Sequence, residues 1–74
     1  MAEEKAPVVD ETAFRDFTLN LLKEFGELTT EDIKTYYKLR EGREISEKQI
    51  KEILKADGRF EAKKDGKKLV WRIR

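Results

Sequence analysis

The sequence has 74 residues, of which 17 are basic and 16 acidic, and it contains neither cysteine nor histidine. This length predicts one small domain, near the lower limit at which a single hydrophobic core suffices without disulfides or metal. The missing residue types exclude disulfides, thiol nucleophiles, and the commonest general base and zinc ligand, so we expect neither a metal nor another cofactor.

Basic and acidic side chains are distributed unevenly along the chain. Residues 1–42 hold 6 basic and 10 acidic side chains, a net charge of −4, whereas residues 43–74 hold 11 and 6, a net charge of +5. This asymmetry suggests that one face attracts polyanions. An ordinary solvated surface is the alternative interpretation of so many charges.

The N-terminal segment has little to bury. It alternates small and charged residues around Pro7, so we predict a disordered tail over residues 1–8 and one domain over residues 9–74. No apolar run approaches the ~18 residues that a membrane span needs, and residues 1–5 lack the apolar stretch of a signal peptide. We therefore expect an intracellular protein, nuclear or cytoplasmic, with no membrane partner.

Three helix starts are predicted by one repeated pattern. An apolar residue precedes a capping side chain, and a second apolar residue follows four positions after the cap, as in a hydrophobic staple. Ser46 with Gln49 adds a capping box, in which each side chain accepts a hydrogen bond from the other residue's backbone amide. The triplets are Val9, Asp10 and Phe14, then Leu28, Thr29 and Ile33, then Ile45, Ser46 and Ile50.

Helices 1 and 2 are predicted over about residues 11–25 and 30–40, ending at Gly26 and near Gly42. Their apolar residues recur at helical spacing, so we assign them to the core. For the two tyrosines, base-stacking platforms are the alternative. The predicted core residues are Phe14, Phe17, Leu21 and Phe25 in helix 1, and Ile33, Tyr36 and Tyr37 in helix 2.

Helix 3 is predicted over about residues 47–57, and its exposed face offers three ammonium groups within two turns. In a helix-turn-helix this face meets phosphates or guanine edges in the major groove. Glu52 interrupts the basic face and is four residues from Lys48, so a solvated face with an ion pair is the alternative. The lysines are Lys48, Lys51 and Lys55, opposite a buried stripe of Ile50, Ile53 and Leu54.

Residues 59–74 predict a two-stranded hairpin directly after helix 3. Asp65-Gly66 is the strongest signal for a two-residue loop, since both residues tolerate the positive φ of a type I′ turn. A tip there places Lys64 opposite Lys67, Ala62 opposite Leu69 and Phe60 opposite Trp71. The opposite face then carries Arg59, Glu61, Lys63, Lys68, Val70 and Arg72.

Four lysines flank this tip, where cationic side chains can meet a backbone phosphate or a minor groove. Lysines on exposed strands also prevent edge-to-edge aggregation, which is the structural alternative. The predicted nucleic-acid contacts are Lys48, Lys51 and Lys55 of helix 3, and Lys63, Lys64, Lys67, Lys68 and Arg72 of the hairpin.

Three capped helices followed by Gly58-Arg59-Phe60-Glu61-Ala62, the Asp65-Gly66 tip and Leu69-Val70-Trp71-Arg72-Ile73 resemble the winged helix-turn-helix superfamily over residues 10–74. The resemblance implies an α+β fold: a three-helix core closed by a C-terminal two-stranded β-hairpin wing, with a short third strand at Glu27-Leu28. Residues 28–33 and 51–55 resemble the C-terminal winged helices of general transcription factor subunits that accompany RNA polymerase II. Such domains bind DNA or peptides of partner proteins.

We expect a non-enzymatic, monomeric binding module, because the carboxylates lie at caps or on polar helix faces and the glycines form no phosphate loop. Its predicted ligand is nucleic acid, DNA in preference to RNA, with weak sequence preference. The long turn over residues 41–45 and the interruption by Glu52 argue against sequence-specific contacts. The alternative is protein recognition in a transcription, replication or repair complex, through an apolar groove beside helices 2 and 3 and the side chains of Leu19, Leu22, Leu39 and Val70.

Overall fold

The structure is a computed structural model and describes residues 10–74, so the predicted tail and Val9 lie outside the described residues. Three helices and a three-stranded antiparallel sheet confirm the α+β class. The order of these elements is compatible with a winged-helix topology. In chain order they are α1 (Glu11–Phe25), β1 (Glu27–Thr29), α2 (Thr30–Glu41), α3 (Glu47–Lys55), β2 (Phe60–Asp65) and β3 (Lys68–Ile73).

Side-chain caps begin these helices where the sequence predicts them. The Asp10 carboxylate accepts a hydrogen bond from a backbone N–H in the first turn of α1. The capping box of Ser46 and Gln49 is confirmed at α3. Thr29 and Asp32 form a second box at α2, which sequence analysis missed because the usual residue at the third helical position is Glu or Gln.

Two helix ends agree with the prediction and one does not. Gly26 and Gly42 follow α1 and α2 with φ of 88° and 69°, which an L side chain rarely adopts. The predicted end of α3 at Asp57 is wrong, since the helix ends at Lys55. The physical reason is a local turn, in which the Asp57 carboxylate accepts the Arg59 backbone N–H at 2.9 Å and directs the chain into β2.

The sheet has the order β1-β3-β2, so β3 is its central strand. The predicted third strand is confirmed as β1, which pairs antiparallel with β3 and sets Leu28 opposite Trp71. Trp71 points from this central strand to the face that packs on the helices, so only 1% of its surface is exposed. Its indole Nε1–H donates a hydrogen bond to Thr30 Oγ1 at the start of α2, at 2.8 Å.

The predicted hairpin register is wrong by two residues. The loop consists of Gly66 and Lys67, and only Gly66, at 65°, has a positive φ, which fits a type II′ turn and not the predicted type I′. A shift of two residues preserves the alternation of faces, so the apolar side chains still lie on the inner face. The observed pairs include Asp65 with Lys68, Lys64 with Leu69, Ala62 with Trp71 and Phe60 with Ile73.

The core lies between the inner face of the sheet and the three helices. The prediction that Phe25 belongs to it is wrong, because Phe25 is 44% exposed and stacks on half-buried Tyr36 at a centroid distance of 5.2 Å. Phe17 is half-buried against the core. The fully enclosed apolar residues include Phe14, Leu21, Leu22, Ile33, Ile50, Leu54 and Trp71.

Candidate nucleic-acid interface

Helix α3 carries a lysine stripe, defined here as Lys48, Lys51 and Lys55. At about 100° per residue these side chains fall within about 60° of one another around the helix axis. Lys48 and Lys55 are exposed, and Lys51 is half-buried. Glu52 borders the stripe on one side and Glu47 on the other, so the predicted interruption of the basic face lies at its margin.

A cleft of about 190 Å³ brings Lys51 of α3 together with Lys67 and Lys68 of the hairpin. The start of α2 forms the adjoining wall, and two carboxylates also line the cleft. The lining is weakly basic, because it contains three lysines and two glutamates. The cleft residues are Thr29, Thr30, Glu31, Glu47, Lys51, Lys67, Lys68 and Leu69.

The pairing of β1 with β3 explains how residues distant in sequence meet in this cleft. It places Thr29, at the end of β1, opposite Val70 and therefore close to the hairpin loop. The helix α2 begins at the next residue, Thr30. Sequence analysis identified Thr29 as a cap but did not assign it to a site, although the predicted third strand was the signal that could have placed it there.

The other hairpin lysines are exposed but divide between the two faces of the sheet. Lys64 pairs with Leu69 and alternates with Ala62, so it lies on the inner face, where the sheet packs on the helices. Lys63 pairs with Val70 and lies on the outer face. Lys68 pairs with Asp65 on this same outer face, yet at the end of its strand it also lines the cleft with Lys51 and Lys67. Lys63 does not line the cleft, so the predicted set is not one continuous surface.

Arg72 also lies on the outer face, where carboxylates on both neighbouring strands hold it. Its Nε donates to Glu61 Oε2 at 2.6 Å, and its Nη1 lies 3.6 Å from Glu27 Oε2. The hydrogen bond to Glu61, with the charges of both carboxylates, holds the pKa of the Arg72 guanidinium above its usual value. The guanidinium charge is thus compensated within the sheet, and Arg72 does not line the cleft.

The four apolar residues predicted to contact a protein partner differ in how exposed they are. Leu22 is 2% exposed and belongs to the core, so it packs on other elements and is not available to a partner, while Leu19 is half-buried against the core. Val70 is half-buried on the outer face of the sheet, and Leu39 is 74% exposed on α2.

Four of the five residues that line the groove expected beside α2 and α3 are polar or charged, although carbon atoms supply most of its exposed lining. It measures about 290 Å³, and its one apolar lining residue, Ile45, is buried. The residues that line it are Lys34, Glu44, Ile45, Ser46 and Gln49.

No family model, curated protein or solved structure matches this chain significantly. Across residues 10–74, no helix is both long and apolar enough to cross a membrane. The same part of the chain contains no group of three or more carboxylate, imidazole or thiol side chains arranged to hold a metal ion.

Proposed function

We propose that this chain is a non-enzymatic winged-helix module that binds nucleic acid, duplex DNA in preference to RNA, with little sequence preference. The hairpin would be the wing and α3 the helix that approaches the duplex. One observation carries the proposal: Lys51 of α3 and Lys67 and Lys68 of the hairpin line the same cleft. A phosphate backbone that follows the lysine stripe could therefore meet ammonium groups from both elements.

Weak sequence preference follows from the side chains available. Lysines contact phosphates as point charges, whereas bidentate readers of base edges are typically arginine, asparagine or glutamine. The one arginine of the predicted set, Arg72, is held by two carboxylates on the outer face of the sheet. We therefore expect binding that depends on salt more strongly than on sequence.

The test is a titration of labelled duplex DNA by fluorescence anisotropy over a range of salt concentrations. We expect micromolar or weaker affinity, with log K falling by about 0.9 per neutralised phosphate as log salt rises. The double variant Lys51→Gln/Lys67→Gln should reduce that slope by about 1–2 and weaken binding equally for unrelated sequences.

The matched control is Lys23→Gln/Lys34→Gln, which removes the same charge from exposed positions on α1 and α2. Its slope should stay close to that of the parent protein. Equal losses from both double variants would mean diffuse attraction without a site. A flat titration at low salt with duplex DNA, single-stranded DNA and RNA would refute the proposal.

Protein recognition is the second candidate, and the high exposure of Leu39 favours it. This function predicts almost no affinity for DNA at low salt. It also predicts that Leu39→Gln impairs recognition while leaving the folded structure intact, because a side chain that is 74% exposed contributes little to the core.

A further inference from the structure

Strand β2 is an edge of the sheet, so half of its backbone groups point away from its neighbour. Among the described residues the order β1-β3-β2 gives β2 a single neighbour, β3. In an antiparallel pair, alternate residues direct both backbone groups at the partner strand, and the residues between them direct both groups away from it. The Arg74 N–H donates to the Arg59 carbonyl at 2.9 Å, which makes these two residues a hydrogen-bonded pair and fixes the alternation along β2.

The outward-pointing residues of β2 are therefore Phe60, Ala62 and Lys64. Phe60 is buried, and its N–H donates to the Asp57 carbonyl at 3.2 Å. Residues 62–64, which we define as the open edge, are all exposed, so no helix covers them. The N–H and C=O groups of Ala62 and Lys64 are thus available to an extended chain that adds a fourth strand to the sheet.

Charge indicates which strand fits the open edge. The side chain of Lys63 lies on the outer face of the sheet and that of Lys64 on the inner face, so an added strand has an ammonium group beside each of its two faces. Opposite charges on neighbouring strands stabilise their pairing, whereas like charges oppose it. The two lysines therefore disfavour the β2 edge of a second copy and favour a strand that carries carboxylates. We propose that the open edge binds an extended acidic segment of a partner protein as an added strand.

This site differs from both surfaces described above. The open edge does not line the lysine cleft, and it lies on the hairpin, whereas Leu39 lies on α2. Backbone hydrogen bonds from two residues and two ion pairs give a short peptide only weak affinity, with a dissociation constant of about 0.1–1 mM. A longer partner can add contacts beyond the open edge.

The experiment is an NMR titration of the isotope-labelled full chain, without nucleic acid, with the capped peptide Glu-Val-Glu-Glu-Val-Glu. This peptide carries carboxylates on both faces when it is extended. At a peptide concentration about ten times the dissociation constant, amide hydrogen exchange should slow about tenfold at Ala62 and Lys64, because peptide carbonyls accept from these N–H groups. Exchange at Lys63 should not change, since its N–H already points at β3.

Two further peptides separate strand pairing from attraction between charges. The same peptide with N-methylated backbone amides keeps its carboxylates but cannot donate to the carbonyls of the open edge, so it should bind at least tenfold more weakly. The peptide Lys-Val-Lys-Lys-Val-Lys can form the backbone hydrogen bonds but brings like charges to the edge, and it should not bind measurably.

Protein variants test the same two contributions from the other side. Ala62→Pro removes an outward N–H that takes no part in the pairing with β3, and it should raise the dissociation constant about tenfold or more. Ala62→Thr keeps this N–H and should leave the dissociation constant nearly unchanged. Lys63→Gln/Lys64→Gln should also weaken binding, whereas Lys23→Gln/Lys34→Gln, which removes the same charge from α1 and α2, should not.

The unmethylated and methylated peptides test the hydrogen bonds on the unaltered protein, so the proposal does not depend on the folding of the proline variant. Equal binding of these two peptides would overturn the proposal, and so would equal protection of Lys63 and its neighbours. The absence of binding up to about 5 mM peptide would overturn it as well. Shifts that map to Lys51 and Lys67 would instead assign the acidic peptide to the lysine cleft. Because nucleic acid is absent, none of these results bears on the DNA-binding proposal.

Discussion

Trp71 connects the sheet to α2 through both its ring and its only polar side-chain atom. The ring is buried on the central strand, and Nε1–H donates to Thr30 Oγ1 at 2.8 Å. Thr30 is itself 4% exposed, so neither group can exchange this bond for water without opening the core. The hydrogen bond joins residues 41 positions apart in sequence.

Trp71→Ala should destabilise the domain by about 3–5 kcal/mol, because it removes the largest buried side chain and leaves a cavity. A domain this small should then be largely unfolded at room temperature. Thermal melts followed by circular dichroism measure the effect. A loss below about 1 kcal/mol would contradict the central position of Trp71 in the core.

Thr30→Val should cost about 1–3 kcal/mol by leaving the indole N–H buried without an acceptor. Trp71→Phe, which removes the donor, is the matching change. Urea unfolding of the two single variants and the double variant forms a double-mutant cycle. If the hydrogen bond accounts for the lost stability, Thr30→Val should destabilise the Trp71→Phe variant much less than it destabilises the parent protein. If instead the free-energy losses of the two single variants add up in the double variant, the hydrogen bond is not the cause.

The Asp57 carboxylate is held by several hydrogen bonds from Arg59. Arg59 donates to it from the backbone N–H, from Nε and from Nη2, and these hydrogen bonds lower the pKa of Asp57 below its usual value of 3.8. A carboxyl group whose pKa is lower in the folded state stabilises the fold above its unfolded pKa. This contribution is lost as the pH falls through the lowered, folded value.

Asp57→Ser should therefore remove part of the acid sensitivity of the domain. A serine hydroxyl can still accept the Arg59 backbone N–H but carries no charge. Urea midpoints measured between about pH 6 and pH 2 should fall less steeply below about pH 4 than in the parent protein. Asp65→Ser is the control, since Asp65 is exposed in the hairpin. If Asp57→Ser and the parent protein lose stability with the same pH profile, Asp57 does not contribute to the acid sensitivity.

At the scale of elements, the helices could be predicted from sequence and the hairpin register could not. Caps at Asp10, Thr29 and Ser46 act within one helical turn, so the starts of α1, α2 and α3 follow from neighbouring residues. The Asp65-Gly66 signal located the hairpin, but two registers two residues apart place the same side chains inward. Choosing between them depends on the turn, where Gly66 occupies the first and not the second loop position.

Gly66→Val should destabilise the hairpin by about 1–2 kcal/mol, because a β-branched residue at φ of 65° is strained. A Cβ at this position meets no atom within 4 Å, so crowding does not contribute. Gly66→Asn should cost less, since asparagine tolerates positive φ, and Lys67→Ala least of all. Thermal melts of the three variants check this order, and equal effects would argue against a loop of Gly66 and Lys67.

The candidate site was predictable only in part, because it joins residues that are distant in sequence. The lysine stripe of α3 follows from helical periodicity, and the sequence places it correctly opposite Ile50, Ile53 and Leu54. Its neighbours do not follow, because the cleft depends on the packing of the hairpin beside the starts of α2 and α3. The ion pairs of Arg72 likewise require β1 and β2 to flank β3, which local pattern does not reveal.

At the scale of the whole molecule, the charge asymmetry along the chain becomes an asymmetry between surfaces. The outer face of the sheet pairs Arg72 with carboxylates of β1 and β2, whereas α3 and the hairpin loop keep lysines along one cleft. In the proposed binding of nucleic acid, the polyanion would meet the lysines of α3 and the hairpin loop. Two docking modes follow, one in which α3 faces the duplex and one in which the hairpin alone does.

Glu52→Lys separates these two modes. Glu52 borders the lysine stripe, so if α3 faces the duplex this variant should tighten binding about threefold to tenfold at moderate salt and steepen the salt slope by about 0.9. Glu41→Lys makes the same change in net charge at an exposed position near the end of α2 and serves as the control. Anisotropy titrations of both variants against one duplex supply the measurement. If they tighten binding equally, α3 does not face the duplex, because only the overall charge of the molecule then matters.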